Sequence, residues 1–564
     1  MRHRRLVALW AGLALCAAVG GGVAMAALAE RARVGFVVAP VQPPAPPPAA
    51  VAPVPSPAPE PEPVATVQPR RPRLPAGRSV RTALRRALLT GAIERRDWAR
   101  WRATDRRARA ALRRLSGARR AELASVVGVV DRLASGGQLT AGRMPLAFLT
   151  LERNVEVWTR RPFPAPRRRM TFGRDPAVFQ YYAGAGVQHH PLGSAGQINA
   201  LVQPCLRRRE ALDRRRIARA RAAAAGRRTG APPVEAGAVR VPIRCHEQRV
   251  RRALDRLAEL SSRRGDFAAW EYLFDYGAGR APWVSGMAQA TAAQALARGA
   301  QAFDESRYRE LAIASLGAFE AAPPLGVAIR DGGGRHYLMY SFDPGLKILN
   351  GFLQSLIGLH DVGELARSPR ARRLFRLGER AARPTIRGYD TGAWSLYSAA
   401  GRESTLDYHR LVTGFLEGMC ERTDEPDYCA PGRRFARYLT EPPEVRVGVS
   451  PRLRAGRRAV VAFRVSKLSA VRVSVLRGSR HVVRRALSVP RGRFTVPWAP
   501  ARGGRYVVRV QATGPEGLQE VIRETVRVKA RPKPKPKPEV EKPERRERAP
   551  KAKPKPRLKG ELGG

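Results

Sequence analysis

The apolar residues of this 564-residue chain change their spacing at Pro442-Pro443. From residue 79 to about 440 they recur three and four positions apart, in segments such as TALRRALLTGAI, which is typical of amphipathic helices. Beyond the prolines, six or seven short segments such as RAVVAFRVS alternate apolar and polar residues and are separated by Gly, Pro and Ser. The sequence therefore predicts a mainly α domain over residues 79–440, followed over residues 443–529 by a small all-β sandwich of the immunoglobulin-like type.

Two further segments contain too few apolar residues to form a core. Residues 30–78 are rich in Pro and Ala, which predicts a disordered, extended linker. Residues 530–564 consist largely of Lys and Pro, which predicts a disordered basic tail.

The N-terminus predicts export. Cationic side chains cluster in Met1–Arg5, and residues 6–29 carry no charged side chain. Residues 1–29 fit either a cleaved signal peptide or an uncleaved membrane anchor, because the apolar stretch is long enough to span a bilayer and small-residue cleavage patterns occur near its end. We expect the protein to be exported, and either secreted or anchored to the membrane.

The charge of the chain favours anionic partners. It has 104 Lys and Arg residues against 47 Asp and Glu residues, a formal net charge of +57. Nucleic acid is disfavoured because the protein is predicted to leave the cell. We expect instead an anionic polysaccharide, and the cell envelope or membrane surface contacted by the N-terminus and the basic tail. The alternative is that Arg is simply the usual surface cation of this chain; the oligomeric state stays open.

Export also bears on the cysteines, because thiols outside the cytoplasm usually pair. Pairing between neighbours in sequence predicts the disulfides Cys205–Cys245 and Cys420–Cys429. The longer bridge would stabilise the fold by about 4 kcal/mol in the chain-entropy model. Four free buried thiols are the alternative.

No motif for a metal or cofactor occurs in the sequence. The eight histidines are scattered, and neither an H-E-x-x-H nor a phosphate-binding glycine motif is present. The triplet Asp390-Thr391-Gly392 resembles that of aspartic proteases, but those enzymes need two such carboxylates. We expect no metal and no cofactor.

The segment DPGLKILNGFLQSLIGLHD predicts a helix with one leucine face and one polar stripe. Asn350, Gln354 and Asp361 lie on that stripe because they are four and seven residues apart. Such amides either satisfy a polar network in the core or line a sugar-binding wall.

Four motifs along the chain resemble the C-terminal domain of D-glucuronyl C5-epimerases: APWVSGMAQA, ILNGFLQSLIGLHD, GYDTGAWSLY and LDYHRL. With the upstream segment VFQYYAGAGVQHHPLGSAGQINAL, the resemblance covers about residues 172–439. It implies an (α/α) toroid, or barrel, of paired helices with a groove for a uronic-acid polymer. It also implies that C5 of glucuronate is inverted.

The resemblance implies tyrosine chemistry at Tyr397 and Tyr408, with a further catalytic tyrosine at Tyr340. A tyrosine base needs nearby cations to favour its phenolate, because the usual pKa of the side chain is near 10, and Arg402 and Arg410 are close in sequence. The alternative is that these rings are ordinary core side chains. The expected substrate-binding residues are Asn350, Gln354, His409, Arg402, Arg410, Trp283, Gln289, Tyr182 and His190.

Two positions depart from the family pattern. Met339 stands where family members carry Glu, and Ala400 stands where the animal enzymes carry Arg. Replacement carboxylates are to be sought among Asp407, Asp390, Glu403 and Glu271. Two other functions remain open: a non-catalytic glycan-binding or envelope protein on a degenerate toroid, and a uronate polysaccharide lyase.

Overall fold

The computed structural model describes residues 79–229 and 243–531, with only the backbone for residues 225–229. The predictions for residues 1–29 and 30–78, and for nearly all of the tail, concern residues outside this part of the chain. The described residues form two compact units. The first contains the residues up to Pro443 with residues 466–468 and 514–518, and the second contains the remainder from Glu444 onward.

The first unit is mainly helical, which confirms the predicted fold class at this level. Its helices within the described residues are α1 (Val80–Leu89), α2 (Arg95–Arg114), α3 (Gly117–Ser135), α4 (Met144–Arg160), α5 (Pro191–Thr229), α6 (Glu247–Glu259), α7 (Gly286–Phe303), α8 (Ser306–Ala314), α9 (Leu349–Leu365), α10 (Pro369–Thr385), α11 (Leu406–Thr423) and α12 (Pro426–Tyr438). None of them is both long enough and apolar enough to span a membrane.

Short antiparallel strands interrupt these helices, and the helical interpretation of residues 79–440 missed them. Tight turns with left-handed glycines, such as Gly173 and Gly184, connect the strands of the first sheet. The strands are β1 (Arg169–Phe172), β2 (Asp175–Tyr182), β3 (Gly186–His189), β4 (Ser262–Arg264), β5 (Phe267–Ala269), β6 (Ala328–Asp331) and β7 (Gly334–Tyr337).

Helix α7 is the most deeply buried helix around the site and packs against α5 and α9. Its many Ala and Gly residues allow this close packing. A Cβ atom at Gly299 would lie 2.5 Å from Leu254 of α6, and one at Gly358 of α9 would lie 2.6 Å from the carbonyl oxygen of Ala290. The small residues are therefore required at these helix contacts.

A second apolar core holds α1 to α4 against the β1–β2–β3 sheet. Strand β2 alternates, since Phe179 and Tyr181 enter this core while Gln180 and Tyr182 belong to the other face. The hydroxyl of Tyr181 donates a hydrogen bond to Glu122 over 2.7 Å. The sheet is thereby fixed with Tyr182 on the face opposite this core.

Both predicted disulfides are present and are thus confirmed. Cys205 of α5 is bonded to Cys245, which precedes α6, and Cys420 of α11 is bonded to Cys429 of α12. Each bridge ties one helix to the next helix along the chain.

The second unit is a β-sheet region. Its strands are β8 (Val445–Val449), β9 (Ala459–Val465), β10 (Ser469–Arg477), β11 (Arg480–Val489), β12 (Gly492–Trp498), β13 (Gly504–Thr513) and β14 (Gln519–Val528). They form two antiparallel sheets, ordered β11-β10-β13-β14 and β12-β9-β8. Alternating Val, Phe and Tyr side chains from these strands fill one core. The C-terminal β region is confirmed, whereas the immunoglobulin-like classification stays a prediction.

Candidate active site

The loop that carries Tyr397 is closed against the start of α9. The backbone of Ser398 pairs with Ile348, and the Tyr397 N–H donates to the carbonyl of Arg402 over 2.8 Å. Tyr408 lies in the first turn of α11, whose N-terminus is capped by the Thr405 hydroxyl. Loop and cap bring the two tyrosine rings to a centroid separation of 4.8 Å.

Tyr340 completes a group of three tyrosines. Its side chain is half-buried and acts electrostatically on Tyr397, which is also influenced by the neighbouring Tyr408. Tyr408 is the most open of the three, with 40% of the residue exposed. The structure therefore brings the three predicted catalytic tyrosines together.

The electrostatics of this group differ from the expectation. Burial, reinforced by the neighbouring Tyr408, raises the pKa of Tyr397 to about 12. Burial also raises the pKa of Tyr340 far above its usual value. Arg402 and Arg410 are exposed, and neither is among the groups that act most strongly on these two phenols. The two arginines thus do not offset the raised pKa of Tyr340 and Tyr397 in this structure, and their role as the cations of the site stays a prediction.

An aromatic cluster adjoins the tyrosines. Trp283 stacks on Tyr272 with ring centroids 4.0 Å apart and donates its indole N–H to the Phe274 carbonyl. Tyr340 lies 5.8 Å from Trp283, and Tyr182 lies 4.5 Å from Phe274. The structure thus places the predicted residues Trp283 and Tyr182 beside the group of three tyrosines.

Sequence reasoning missed part of this cluster. The segment WEYLFDY places Tyr272, Phe274 and Tyr276 at alternate positions, and alternation is the signal of an extended segment whose side chains share one face. Phe342 closes the cluster, 5.2 Å from Trp283 and 5.3 Å from Tyr340. The helical interpretation of the region concealed this signal.

Two predicted binding residues serve the core instead. The Gln289 side chain accepts from the Trp270 N–H and donates to its carbonyl, over 3.1 and 2.8 Å. Gln354 donates to Gln294 over 3.2 Å. Both amides are buried and engaged, so in this structure they are not available to a sugar.

His409 is also part of the core. Its ring stacks on Trp394 at 3.7 Å, and Nδ1 accepts hydrogen bonds from Ser395, so Nε2 carries the proton and donates to the Phe435 carbonyl. Burial lowers the pKa of His409 to about 4. The expectation that this side chain contacts substrate does not fit its position; it fixes the start of α11 beside Tyr408.

Two other predicted binding residues, Asn350 and His190, are not fully engaged in core hydrogen bonds. Asn350 accepts the Gly351 N–H, but its buried Nδ2 has no hydrogen-bond partner among the described residues. His190 is half-buried, and its Nδ1 accepts the Gly193 N–H over 2.7 Å. Burial lowers the pKa of His190 to about 4, so the ring is neutral at physiological pH.

A charged network connects the helices behind the site. Asp361 of α9 accepts hydrogen bonds from Arg298 and Gln294 of α7 and from Arg422 of α11. Burial opposes its ionisation, but the charges of Arg422 and Arg298 hold the pKa of Asp361 well below the usual range. The polar stripe predicted from the sequence is therefore mostly a core network.

Most of the proposed carboxylates have structural partners. Glu271 is buried between Arg143 and Arg264, and Asp390 accepts from Arg434 and from the Tyr438 hydroxyl. Glu403 accepts a backbone N–H. Asp407, in the first turn of α11, is exposed. Nowhere in residues 79–229 and 243–531 do three His, Cys, Asp or Glu side chains form a group able to hold a metal.

Met339 occupies the position where the resembling family has an acidic residue. The thioether accepts the Ser285 hydroxyl over 3.4 Å at the start of α7 and packs against Gly351 of α9. A thioether cannot carry a proton at physiological pH. Met339 itself therefore cannot take part in proton transfer.

Comparison with known proteins points to one family. Residues 264–436 match the family model described as D-glucuronyl C5-epimerase C-terminus. The D-glucuronyl C5-epimerase of Caenorhabditis elegans is 32% identical over 161 residues, which are 24% of this chain and 25% of that protein. An uncharacterized protein of Methanocaldococcus jannaschii is 25% identical over 162 residues, covering 27% of this chain and 52% of the relative.

The match thus spans about a quarter of the nematode enzyme and about half of the archaeal protein. Among solved structures, cellobiose 2-epimerase from Spirochaeta thermophila is similar over 52% of this chain and 68% of its own, with 12% identity and a TM-score of 0.31.

Proposed function

Residues 264–436 of the chain belong to the D-glucuronyl C5-epimerase family, and from this premise we propose that the protein inverts C5 of glucuronate residues in a polysaccharide. The observation that carries the proposal is the group of three tyrosines beside the aromatic cluster, at the positions that match the family's motifs.

The reaction requires two proton carriers. The C5–H bond of glucuronate is activated by the adjacent carboxyl group, so a base removes that proton and an acid returns another to the opposite face. We assign these roles to Tyr397 and Tyr408, one as phenolate and one as phenol. After one turnover their protonation states are exchanged, and both the proximity of Tyr340 and the exposure of Tyr408 support a return of the proton through hydroxyls and water.

The raised pKa of Tyr397 lowers the fraction of phenolate but increases its strength as a base. With a pKa of about 12, only about one molecule in 10⁵ carries that phenolate at pH 7. The same phenolate is a strong base toward a weakly acidic carbon, and the phenol form is always available as the acid. The site therefore suits slow proton transfer that speeds up in alkaline solution.

The proposal also covers the arrangement of the helices, the location of the protein and the charge of its substrate. We propose that the helices of residues 264–436 form part of an (α/α) toroid whose groove binds the polymer. The two disulfides support a location outside the cytoplasm. The high net positive charge supports an acidic glycan as substrate.

The test is proton NMR of a non-sulphated glucuronate-containing polysaccharide incubated with the protein in deuterium oxide. We expect the H5 signal of glucuronate to disappear and iduronate signals to appear. Tyr397→Phe and Tyr408→Phe should each slow the exchange at least about 100-fold, because each removes a proton carrier and little volume. Tyr308→Phe is the matched control, since its hydroxyl bonds Asp255 on α6.

Other outcomes identify other functions. An unsaturated product that absorbs in the ultraviolet would show elimination of the 4-O substituent, as in a lyase. Binding of the polymer without H5 exchange would indicate a glycan-binding protein. Full activity of both Phe variants would refute the tyrosine assignment even if the wild-type protein epimerises its substrate.

A further inference from the structure

Tyr276 is an exposed aromatic side chain of the site that the proton-transfer chemistry does not use. It is 39% exposed, and its ring lies 5.8 Å from Tyr340 and 6.2 Å from Tyr182. It also acts electrostatically on both Tyr340 and Tyr397. A large aromatic face is therefore open to solvent directly beside the catalytic tyrosines.

The loop around Tyr276 holds that face in a fixed position. Tyr276 and Gly279 exchange two backbone hydrogen bonds of 2.9 and 2.8 Å, which makes a closed turn. A Cβ atom at Gly279 would overlap the ring of Phe342, so the turn sits directly on the aromatic cluster. Asp275 accepts the Ala281 N–H and fixes the other end of the loop.

Two arginines, Arg167 and Arg169, lie beside the aromatic cluster. Arg169 of β1 is paired with Gln180 of β2, and the Arg167 N–H donates to the Tyr181 carbonyl, so both lie beside the end of β2 that carries Tyr182. Both are exposed, and no side-chain hydrogen bond or ion pair engages either of them among the described residues. Their charges act on Tyr182, where they oppose the rise of its pKa that burial causes. The end of the sheet beside Tyr182 therefore presents cationic groups next to the aromatic rings.

We propose that Tyr276 and Tyr182, together with Arg167 and Arg169, form a second sugar subsite, which binds a further acidic residue of the polymer outside the disaccharide that contains the reacting glucuronate. Aromatic faces pack against the C–H surface of a sugar ring, and arginine binds carboxylate in a fork geometry. The identity of the polymer rests on the proposed function. The subsite itself requires only an anionic sugar chain.

The subsite predicts that affinity depends on chain length. A disaccharide can occupy the tyrosine site alone, whereas a longer oligosaccharide also reaches Tyr276 and the arginines. The arginines should further contribute a salt-dependent part of the affinity, because they are exposed charges.

The experiment is isothermal titration calorimetry of the full chain with a non-sulphated glucuronate-containing disaccharide and the corresponding octasaccharide. We expect the octasaccharide to bind more tightly to wild type. The double variant R167Q/R169Q should weaken octasaccharide binding about three- to tenfold, and Tyr276→Ala about tenfold. Neither should change disaccharide binding by more than about twofold.

Matched variants separate the contacts from effects on folding. Arg174→Gln removes one positive charge at the opposite end of the β1–β2 hairpin and should bind as wild type. Tyr276→Phe keeps the ring and should retain octasaccharide affinity. Wild-type affinity of R167Q/R169Q and Tyr276→Ala for the octasaccharide would overturn the subsite.

The outcome is distinguishable from failure of the proposed function. If wild type exchanges no H5 but these variants still weaken octasaccharide binding, the subsite stands and the epimerase proposal fails. If wild type epimerises and the variants bind normally, the epimerase stands and the subsite fails.

Discussion

At the scale of single residues, burial governs the proton chemistry of the candidate site. Tyr340 and Tyr397 are held among other phenols, and the raised pKa of each favours the neutral form. Arginines that are near in sequence, such as Arg402, are exposed and do not offset this effect. A phenolate base therefore forms only when one of these tyrosines loses its proton to solvent.

This expectation gives a definite pH dependence for the reaction. If one phenolate is required, kcat/KM should rise about tenfold per pH unit between pH 7 and 9, because the phenolate fraction rises tenfold per unit below the pKa. The initial rate of H5 exchange at low substrate concentration measures this slope. A rate that is flat or falls over this range would contradict a tyrosine base.

The residue types of the site could be predicted from the motifs, but their accessibility could not. Tyr397 and Tyr408 come together as the motifs imply. Gln289 and His409, from the same motifs, instead form hydrogen bonds with backbone and hydroxyl groups of the core. Whether a polar side chain faces a groove or satisfies a core group depends on partners distant in sequence. Tyr276 was missed for the same reason, since its neighbours Tyr182 and Tyr340 come from other segments.

At the scale of elements, Asp361 links the helices that carry the site. It joins α9 to α7 through Arg298 and to α11 through Arg422, and α11 begins with the turn that holds Tyr408. All three charged side chains are nearly excluded from solvent. The position of Tyr408 relative to α9 therefore depends in part on this network.

Asp361→Asn should lower the free energy of unfolding by about 3–5 kcal/mol, because it leaves two buried arginines without a counter-charge. Glu364→Gln is the control on the same helix, since its ion pair with Arg372 is solvent-exposed and should contribute about 1 kcal/mol or less. Chemical denaturation of both variants makes the comparison. Equal effects of the two substitutions would refute the structural role of Asp361.

Helices and strands differed in how well the sequence predicted them. The leucine repeat predicted α9, and the Ala and Gly content predicted the close packing of α7. The β1–β2–β3 sheet was missed because its strands are short, so the alternation of Phe179 and Tyr181 extends over too few residues to stand out from the helical segments around it. Strand pairing depends on contacts across turns, which a local period does not contain.

At the scale of the whole molecule, four of the eight histidines are held neutral. Burial lowers the pKa values of His190, His336 and His409 to about 4 and that of His189 to about 3. The unfolded chain titrates these groups near pH 6.5. Between pH 6.5 and about 4 the unfolded state therefore binds more protons than the folded state, and the stability present above pH 6.5 is lost as the pH falls.

We expect each of these histidines to remove up to about 1.4 kcal/mol of stability per pH unit in this window. Urea denaturation at pH 7, 6 and 5 and constant ionic strength measures the effect before most carboxylates titrate. His409→Gln should reduce the dependence on pH by up to one proton, whatever it does to absolute stability, because the titrating ring is removed. His481→Gln replaces an exposed histidine of β11 and should leave the dependence unchanged. A free energy of unfolding that stays constant from pH 7 to 5 would mean that these rings are protonated inside the fold, in conflict with the hydrogen bonds that fix His409 in its neutral form.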